Sequence, residues 1–189
     1  MSQVIVIEFV SLDGVIQDPD GNEGFRHGGW AFRYGPEPVT GDPFALSEVL
    51  GTGALLLGRR TWEMFAKIWP GRDDPFSAKM NAMPKLVASR SLVQAAGWQN
   101  STVLQGDLAA AARERKRAQD IVVMGSASVV RALMAHDLVD EYRLLVFPVI
   151  LGAGTRLFPD GTAPADLALV SAGTRGAAVR LVYTRSGNS

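Results

Sequence analysis

The chain has 189 residues, 47% hydrophobic and 20% charged, a size and balance suited to one folded domain with its own core. Nineteen basic and 19 acidic residues give a net charge of zero, which offers no electrostatic footprint for nucleic acid or an anionic membrane. Cysteine is absent and the two histidines, His27 and His136, stand far apart, so disulfides and a Cys nucleophile are excluded and no metal site is expected.

No apolar run approaches the ~20 residues a membrane helix needs. The opening Met1-Ser2-Gln3 passes directly into an apolar strand pattern, with no basic leader and no small-residue cleavage site, so a cytoplasmic location is expected. Residues 4–10 form a nearly continuous apolar run, interrupted by Glu8, and read as a buried strand closed by Ser11-Leu12-Asp13-Gly14. Residues 18–41 are rich in Gly, Pro and charge and read as a long loop with a short helix at 30–34; loops of that length in compact domains usually serve a function. Asp42-Pro43 predicts a helix start, with Asp at the N-cap and Pro at the first helical position, running to about Leu50 and stopped by Gly51-Thr52-Gly53. A strand at 54–57 and a helix at 60–68 follow, the latter closed by Trp69-Pro70-Gly71. Next come a short helix at 75–82 and strands at 85–88 and 102–104. A helix capped by Asp107 runs to 118, and an apolar, central strand follows at 121–124. A helix at 126–135, a long strand at 141–149 and a closing antiparallel pair at 167–171 and 177–184 complete the pattern.

Strands and helices alternate first and strands dominate last. The prediction is an α/β fold with a three-layer α/β/α arrangement, a mostly parallel mixed sheet and antiparallel strands at the C-terminal edge. A single domain is expected over residues 1–185, with a disordered tail at 186–189. Ligands in such sheets bind beyond the carboxyl ends of the strands. Four segments hold that position: Ser11-Leu12-Asp13-Gly14, Gly58-Arg59-Arg60-Thr61-Trp62-Glu63, Ser89-Arg90-Ser91 and Gly125-Ser126-Ala127-Ser128.

Gly58 admits close approach of backbone to a ligand, Arg59 can meet phosphate, and Thr61 sits where a helix N-terminus favours anions. Arg90, between Ser89 and Ser91, suits a 2′-phosphate. Gly125-Ser126 opens a helix whose first amides, at Ala127 and Ser128, make an anion site; Ser126 is equally an ordinary N-cap. Each segment alone reads as a turn with a surface polar residue. Gly51-x-Gly53 and Gly152-x-Gly154 lack the third glycine of a dinucleotide fingerprint.

Taken together, Gly58-Arg59-x-Thr61-Trp62-Glu63, Ser89-Arg90 and Gly125-Ser126 resemble the cofactor segments of dihydrofolate reductases. Ser11-Leu12-Asp13-Gly14, Val139-Asp140-Glu141-Tyr142 and the stretch from Pro148 through Gly152-x-Gly154-Thr155-Arg156-Leu157-Phe158 are similar to a neighbouring branch. That branch is the reductase domain of the bifunctional riboflavin-biosynthesis deaminase/reductase and its stand-alone bacterial relatives. The resemblance covers most of the chain. It implies a dihydrofolate-reductase-like fold, NADPH as cofactor, reduction of a small pterin-like or pyrimidine-like heterocycle, and a homodimer. Met124 stands where the riboflavin reductases commonly carry a carboxylate, which counts against their substrate, 5-amino-6-(5-phosphoribosylamino)uracil. A third reading is a nucleotide-binding protein on the same fold without turnover.

Hydride chemistry belongs to the cofactor, so the protein must hold substrate and relay a proton. Asp13, at the end of the first strand, is the favoured carboxylate, against an Asp-Gly turn role. Asp42 lies 58 − 42 = 16 positions before Gly58, an interval similar to that of the pterin-gripping carboxylate in folate reductases, against an N-cap role. Trp30 and Phe32, in the long loop, are candidates to stack on the heterocycle as a lid.

Overall fold

The computed structural model describes residues 2–186; the tail expected at 186–189 lies outside them except for Ser186. Eight strands are present: β1 Val4–Ser11, β2 Ala54–Gly58, β3 Lys85–Ala88, β4 Ser101–Leu104, β5 Ile121–Val123, β6 Glu141–Phe147, β7 Leu167–Arg175 and β8 Ala178–Arg185. They make one mixed sheet in the order β4-β3-β2-β5-β1-β6-β8-β7. The helices are α1 Val49–Thr52, α2 Arg59–Ile68, α3 Pro75–Ala82, α4 Leu108–Lys116 and α5 Ala127–Ala135. The parallel part and the antiparallel C-terminal edge follow the predicted alternation, with β2, β3, β4 and β5 paired in parallel and β6, β8 and β7 antiparallel. The chain divides into two compact units, one comprising Leu46–Val139 and the start of β1 to Ile5, the other Val6–Ala45 and the chain from Asp140 onward.

In the first unit β2 is flanked by parallel β3 and β5. A strand covered on both faces is apolar throughout rather than alternating, and Ala54, Leu55, Leu56 and Leu57 are fully buried. The helices start where the sequence supplies caps. Asp74 accepts from the Phe76 and Ser77 amides ahead of α3, and Asp107 accepts from the Ala110 amide at 2.8 Å ahead of α4. Lys85 is fully buried in β3. Its ammonium donates to the Asn81 and Gln99 carbonyls and lies 4.4 Å from the Trp98 ring centroid, contacts that offset only part of the burial cost, which lowers its pKa to about 8.

In the second unit Phe9 of β1 stacks on Phe44 at 5.2 Å and meets the edge of Phe147 at 5.6 Å, while Trp30 and Tyr34 also pack on Phe147. The helix predicted from Asp42 to Leu50 does not form. Ala45 takes a left-handed φ of 53°, and the Arg143 guanidinium, from β6, binds the carbonyls of Phe44 and Ala45. Those carbonyls would otherwise accept helical amides. Asp42 therefore caps a turn, the helix starts only at Val49, and Gly51, expected to stop it, lies inside it.

The long loop is built around one buried carboxylate. Asp18, with φ of 51°, accepts from the Glu23 and Phe25 amides, both at 2.9 Å, and its carbonyl accepts from Gly29 at 3.0 Å. A side chain at Gly28 would lie 2.3 Å from Asp18 Oδ2, so only glycine fits there. Removing a buried acceptor strands its donors at about 1–3 kcal/mol. Asp18→Ala should therefore lower unfolding free energy by about 2–4 kcal/mol in urea titration, whereas Asp20→Ala, whose carboxylate serves only exposed Asn22, should change it by less than about 0.5 kcal/mol.

Candidate functional site

In the first unit three expected segments meet at neighbouring strand ends. β2 ends at Gly58 and leads into α2; β5 ends at Val123 and leads through Gly125-Ser126 into α5. Because β2 and β5 run parallel, both helices begin at the same end of the sheet. The Gly58 amide donates to the Gly125 carbonyl at 3.2 Å, and a Cβ on Gly58 would sit 2.3 Å from Ser126 Oγ. Glycine at 58 is thus required by the neighbouring turn, whose Gly125–Ser126 peptide is cis. Neither α2 nor α5 has a side-chain cap or an acidic residue in its first turn. The Ser126 hydroxyl pairs with that of Ser128 at 2.8 Å instead of capping. Two helix N-termini therefore converge without a carboxylate, a setting that favours an anion.

Arg59 extends this arrangement. Its guanidinium donates to Glu63 at 2.8 Å and, through Nη1, to Ser91 Oγ at 2.8 Å, which ties the end of β2 to the segment after β3. The Ser89 oxygen accepts from the Ser91 and Leu92 amides and shapes that turn. Arg90 is exposed, while Thr61 is buried in the first turn of α2. The structure thus brings together Gly58, Arg59, Thr61, Ser89, Arg90, Ser91, Gly125, Ser126, Ala127 and Ser128 on one unit.

The expected residues of the second unit fare differently. Asp13 accepts from the Ser11 hydroxyl at 2.6 Å and from the Leu151 and Gly152 amides at 3.1 and 2.8 Å. These bonds, the Ser11 one foremost, hold its carboxyl down to about 2. Proton donation near neutrality would need a raised value, so Asp13 is corrected from proton donor to a latch between the turn after β1 and residues 151–152. Trp30 is also corrected: it is fully buried, and its indole N–H donates to the Gln17 carbonyl at 2.8 Å. It is core, not lid. Phe32 is half exposed, and Asp42 sits in the turn described above. Glu8, on β1, is different again. Its Oε1 is shielded from solvent and has no hydrogen-bond partner, and burial, with the Glu23 charge adding, pushes its carboxyl up to about 8. Among the described residues no helix is long and apolar enough to cross a membrane, and no cluster of three or more His, Cys, Asp or Glu is placed to hold a metal.

The family model of the RibD C-terminal domain matches residues 2–181. The chain belongs to the RibD C-terminal domain family. Curated relatives are proteins of Bacillus subtilis (strain 168). The uncharacterized protein YyaP is 26% identical over 98% of this chain and 96% of its own. YwjB is 34% identical over 39% of this chain and 42% of its own. A putative riboflavin biosynthesis protein from Shewanella sp. PV-4 superposes with a TM-score of 0.76 at 21% identity, over 97% of this chain and 99% of that one. Acinetobacter baumannii RibD gives 0.62 at 16% identity, over 98% of this chain and 58% of that one. A pyrimidine reductase-like protein from Corynebacterium diphtheriae gives 0.60 at 14% identity, over 99% of this chain and 93% of that one. At these identities the structural likeness establishes the fold, and RibD-type membership points to oxidoreductase chemistry.

In this RibD C-terminal domain the residue that sequence reasoning passed over is Glu8. Its signal was present, as a carboxylate within the apolar run of the first strand, but it read as an interruption of the strand. A carboxyl raised from 4.5 to about 8 binds a proton in the folded chain that the unfolded chain has lost. Its contribution to stability is full below about pH 4.5, falls as pH rises, and levels off above about pH 8. Chemical unfolding across that window should show wild type losing stability relative to Glu8→Gln, by at most about 1.4 kcal/mol per pH unit.

Proposed function

We propose that this chain is an NADPH-dependent reductase of a small pterin-like or pyrimidine-like heterocycle. The observation that carries the reading is the convergence of two uncapped, carboxylate-free helix N-termini, α2 and α5, at the ends of adjacent parallel strands. The amides of Ala127 and Ser128 would hold the pyrophosphate behind the Gly125-Ser126 turn, with Thr61 at the start of α2 beside it. Arg59, already steadied by Glu63 and Ser91, adds a fixed positive charge. Arg90 with Ser89 and Ser91 would take the 2′-phosphate, the group that distinguishes NADPH from NADH. NADPH supplies the hydride; the chain supplies orientation and a proton. Met124, intermediate in burial after β5, offers no strong acceptor to a sugar hydroxyl, so the substrate is not narrowed to the phosphoribosyl intermediate of riboflavin synthesis.

Nicotinamide fluorescence titration tests the cofactor site. Wild type should bind NADPH at least about tenfold more tightly than NADH, Arg90→Ala should level the two, and Arg59→Ala should weaken both by about tenfold. Failure of either nucleotide to bind wild type at millimolar concentration overturns the reading.

We also propose a homodimer. β7 is an edge strand of the sheet, and it exposes Leu169 and Val170 at 57% and 58%. An apolar edge strand invites pairing with another chain. Light scattering should give twice the 20.2 kDa chain mass, and a Leu169→Lys/Val170→Lys variant should give one. A monomeric wild type removes the claim.

A further inference from the structure

Glu63 is the residue of the Gly58-Arg59-x-Thr61-Trp62-Glu63 segment that neither packing nor the anion setting accounts for. Gly58 makes room for the neighbouring turn, and Trp62 is buried with its indole donating to Ser101 Oγ at 2.9 Å. Glu63 lies one turn after Arg59 and accepts from its Nε at 2.8 Å, and the two side chains stay well exposed, at 40% and 48%. Helix stability does not explain the pair. Arg59 stands in the first turn of α2, where the helix dipole opposes a cation, and Arg before Glu is the poorer order for residues four apart. The contact is also one-sided. A guanidinium is a fork of N–H donors. Here Nε–H serves one oxygen of Glu63 and Nη1 serves Ser91 Oγ, and the rest of the fork meets no protein acceptor. Ser91 Oγ accepts in that bond, so its own proton is left to donate.

We infer that Glu63 is a resident counter-anion, which holds the Arg59 guanidinium until the phosphate of an incoming ligand displaces it. For a nucleotide cofactor this rests on the reductase reading above. An exposed ion pair between residues four apart is weak and screened by salt, so it breaks easily. A phosphate offers the open fork two acceptors at once, and charge-assisted bonds of that kind are the stronger ones. The Ser91 hydroxyl adds a donor beside them and keeps the guanidinium at the end of β2 when Glu63 lets go. Displacement still carries a cost. The carboxylate remains one helical turn away, and its charge opposes the phosphate. Glu63 therefore lowers affinity for any phosphate held by Arg59, whatever else the ligand carries. Choice between NADPH and NADH stays with Arg90, because the discount falls equally on both. A cofactor that must leave after each turnover gains from such a discount, since release commonly limits the rate of a reductase cycle.

Four proteins test this: wild type, Glu63→Gln, Arg59→Ala and the double variant. Gln keeps an acceptor oxygen for Arg59 and removes the charge. Both side chains are exposed, so the fold should survive each change. Inorganic pyrophosphate is the probe, followed by calorimetry and by the NMR signal of the Arg59 Nε–H, identified by its loss in Arg59→Ala. At low ionic strength Glu63→Gln should bind pyrophosphate about threefold more tightly than wild type, and added salt should shrink the gain. In wild type the Nε–H signal should move on binding, as its partner changes from carboxylate to phosphate. The gain from Glu63→Gln should largely vanish in the Arg59→Ala background, a coupling that a purely structural role of Glu63 would not produce. Equal or weaker binding by Glu63→Gln, an undiminished gain without Arg59, or no pyrophosphate binding to wild type and Glu63→Gln overturns the inference. NADPH and NADH should both tighten by the same factor in Glu63→Gln. If neither nucleotide binds while pyrophosphate behaves as expected, the reductase reading falls and the role of Glu63 stands.

Discussion

The parallel pairing of β2 between β3 and β5 is the constraint on which the candidate cofactor site depends. Parallel strands must all end on the same side, so the segments after β2, β3 and β5 become neighbours although they are far apart in sequence. Two helices then start side by side, and the only way to bring their first turns together is to remove bulk from one of them. Gly58 does this: any side chain there would strike Ser126. The same closeness lets Gly58 donate to the Gly125 carbonyl, so the turn is fixed by backbone bonding as well as by contact. Helix dipoles are weak individually, but two of them aimed at one place without a capping carboxylate make a local positive potential that needs no net charge on the protein. A chain of zero net charge can therefore hold an anion as well as a basic one can.

Carboxylates organise the second unit, and their different surroundings assign them different work. Asp18 and Asp13 both accept two backbone amides, and both turn a glycine-rich loop into a defined path. Their charge is answered by fixed dipoles. Glu8 faces apolar strand neighbours and another negative charge, so its charge is opposed. A well-packed apolar residue at position 8 would be the more stable choice.

Most of the fold was legible because its signals are local. Continuous apolar runs marked β2 and β5, and Asp107 marked the start of α4. What failed was decided at a distance. Asp42-Pro43 carries the same start signal as Asp107, but Arg143, about a hundred positions on, takes the carbonyls that the first turn would have used. No window of sequence around Asp42 contains that guanidinium. Trp30 misread for a related reason: a glycine-rich loop suggests an exposed aromatic, yet Asp18 folds that loop back and the indole closes on Gln17 and Phe147. The link from Arg59 to Ser91 spans 32 positions and follows from strand order alone.

Asp13 sits in a motif that more than one role can preserve. Ser11-Leu12-Asp13-Gly14 is the segment that best resembles the riboflavin branch, and position in a motif made Asp13 the natural acid. A motif is kept, however, by anything that needs it, and a turn that must be latched to a second loop needs an ionised acceptor as firmly as a reaction needs an acid. The two needs are opposite in protonation. Three donors converge on Asp13 and hold its ionised form, whereas Glu8 Oε1 has no donor. The hydrogen bonds a carboxyl already has are therefore a sharper guide to its role than the segment it sits in, because a group with its lone pairs filled by the fold has little left to offer a ligand.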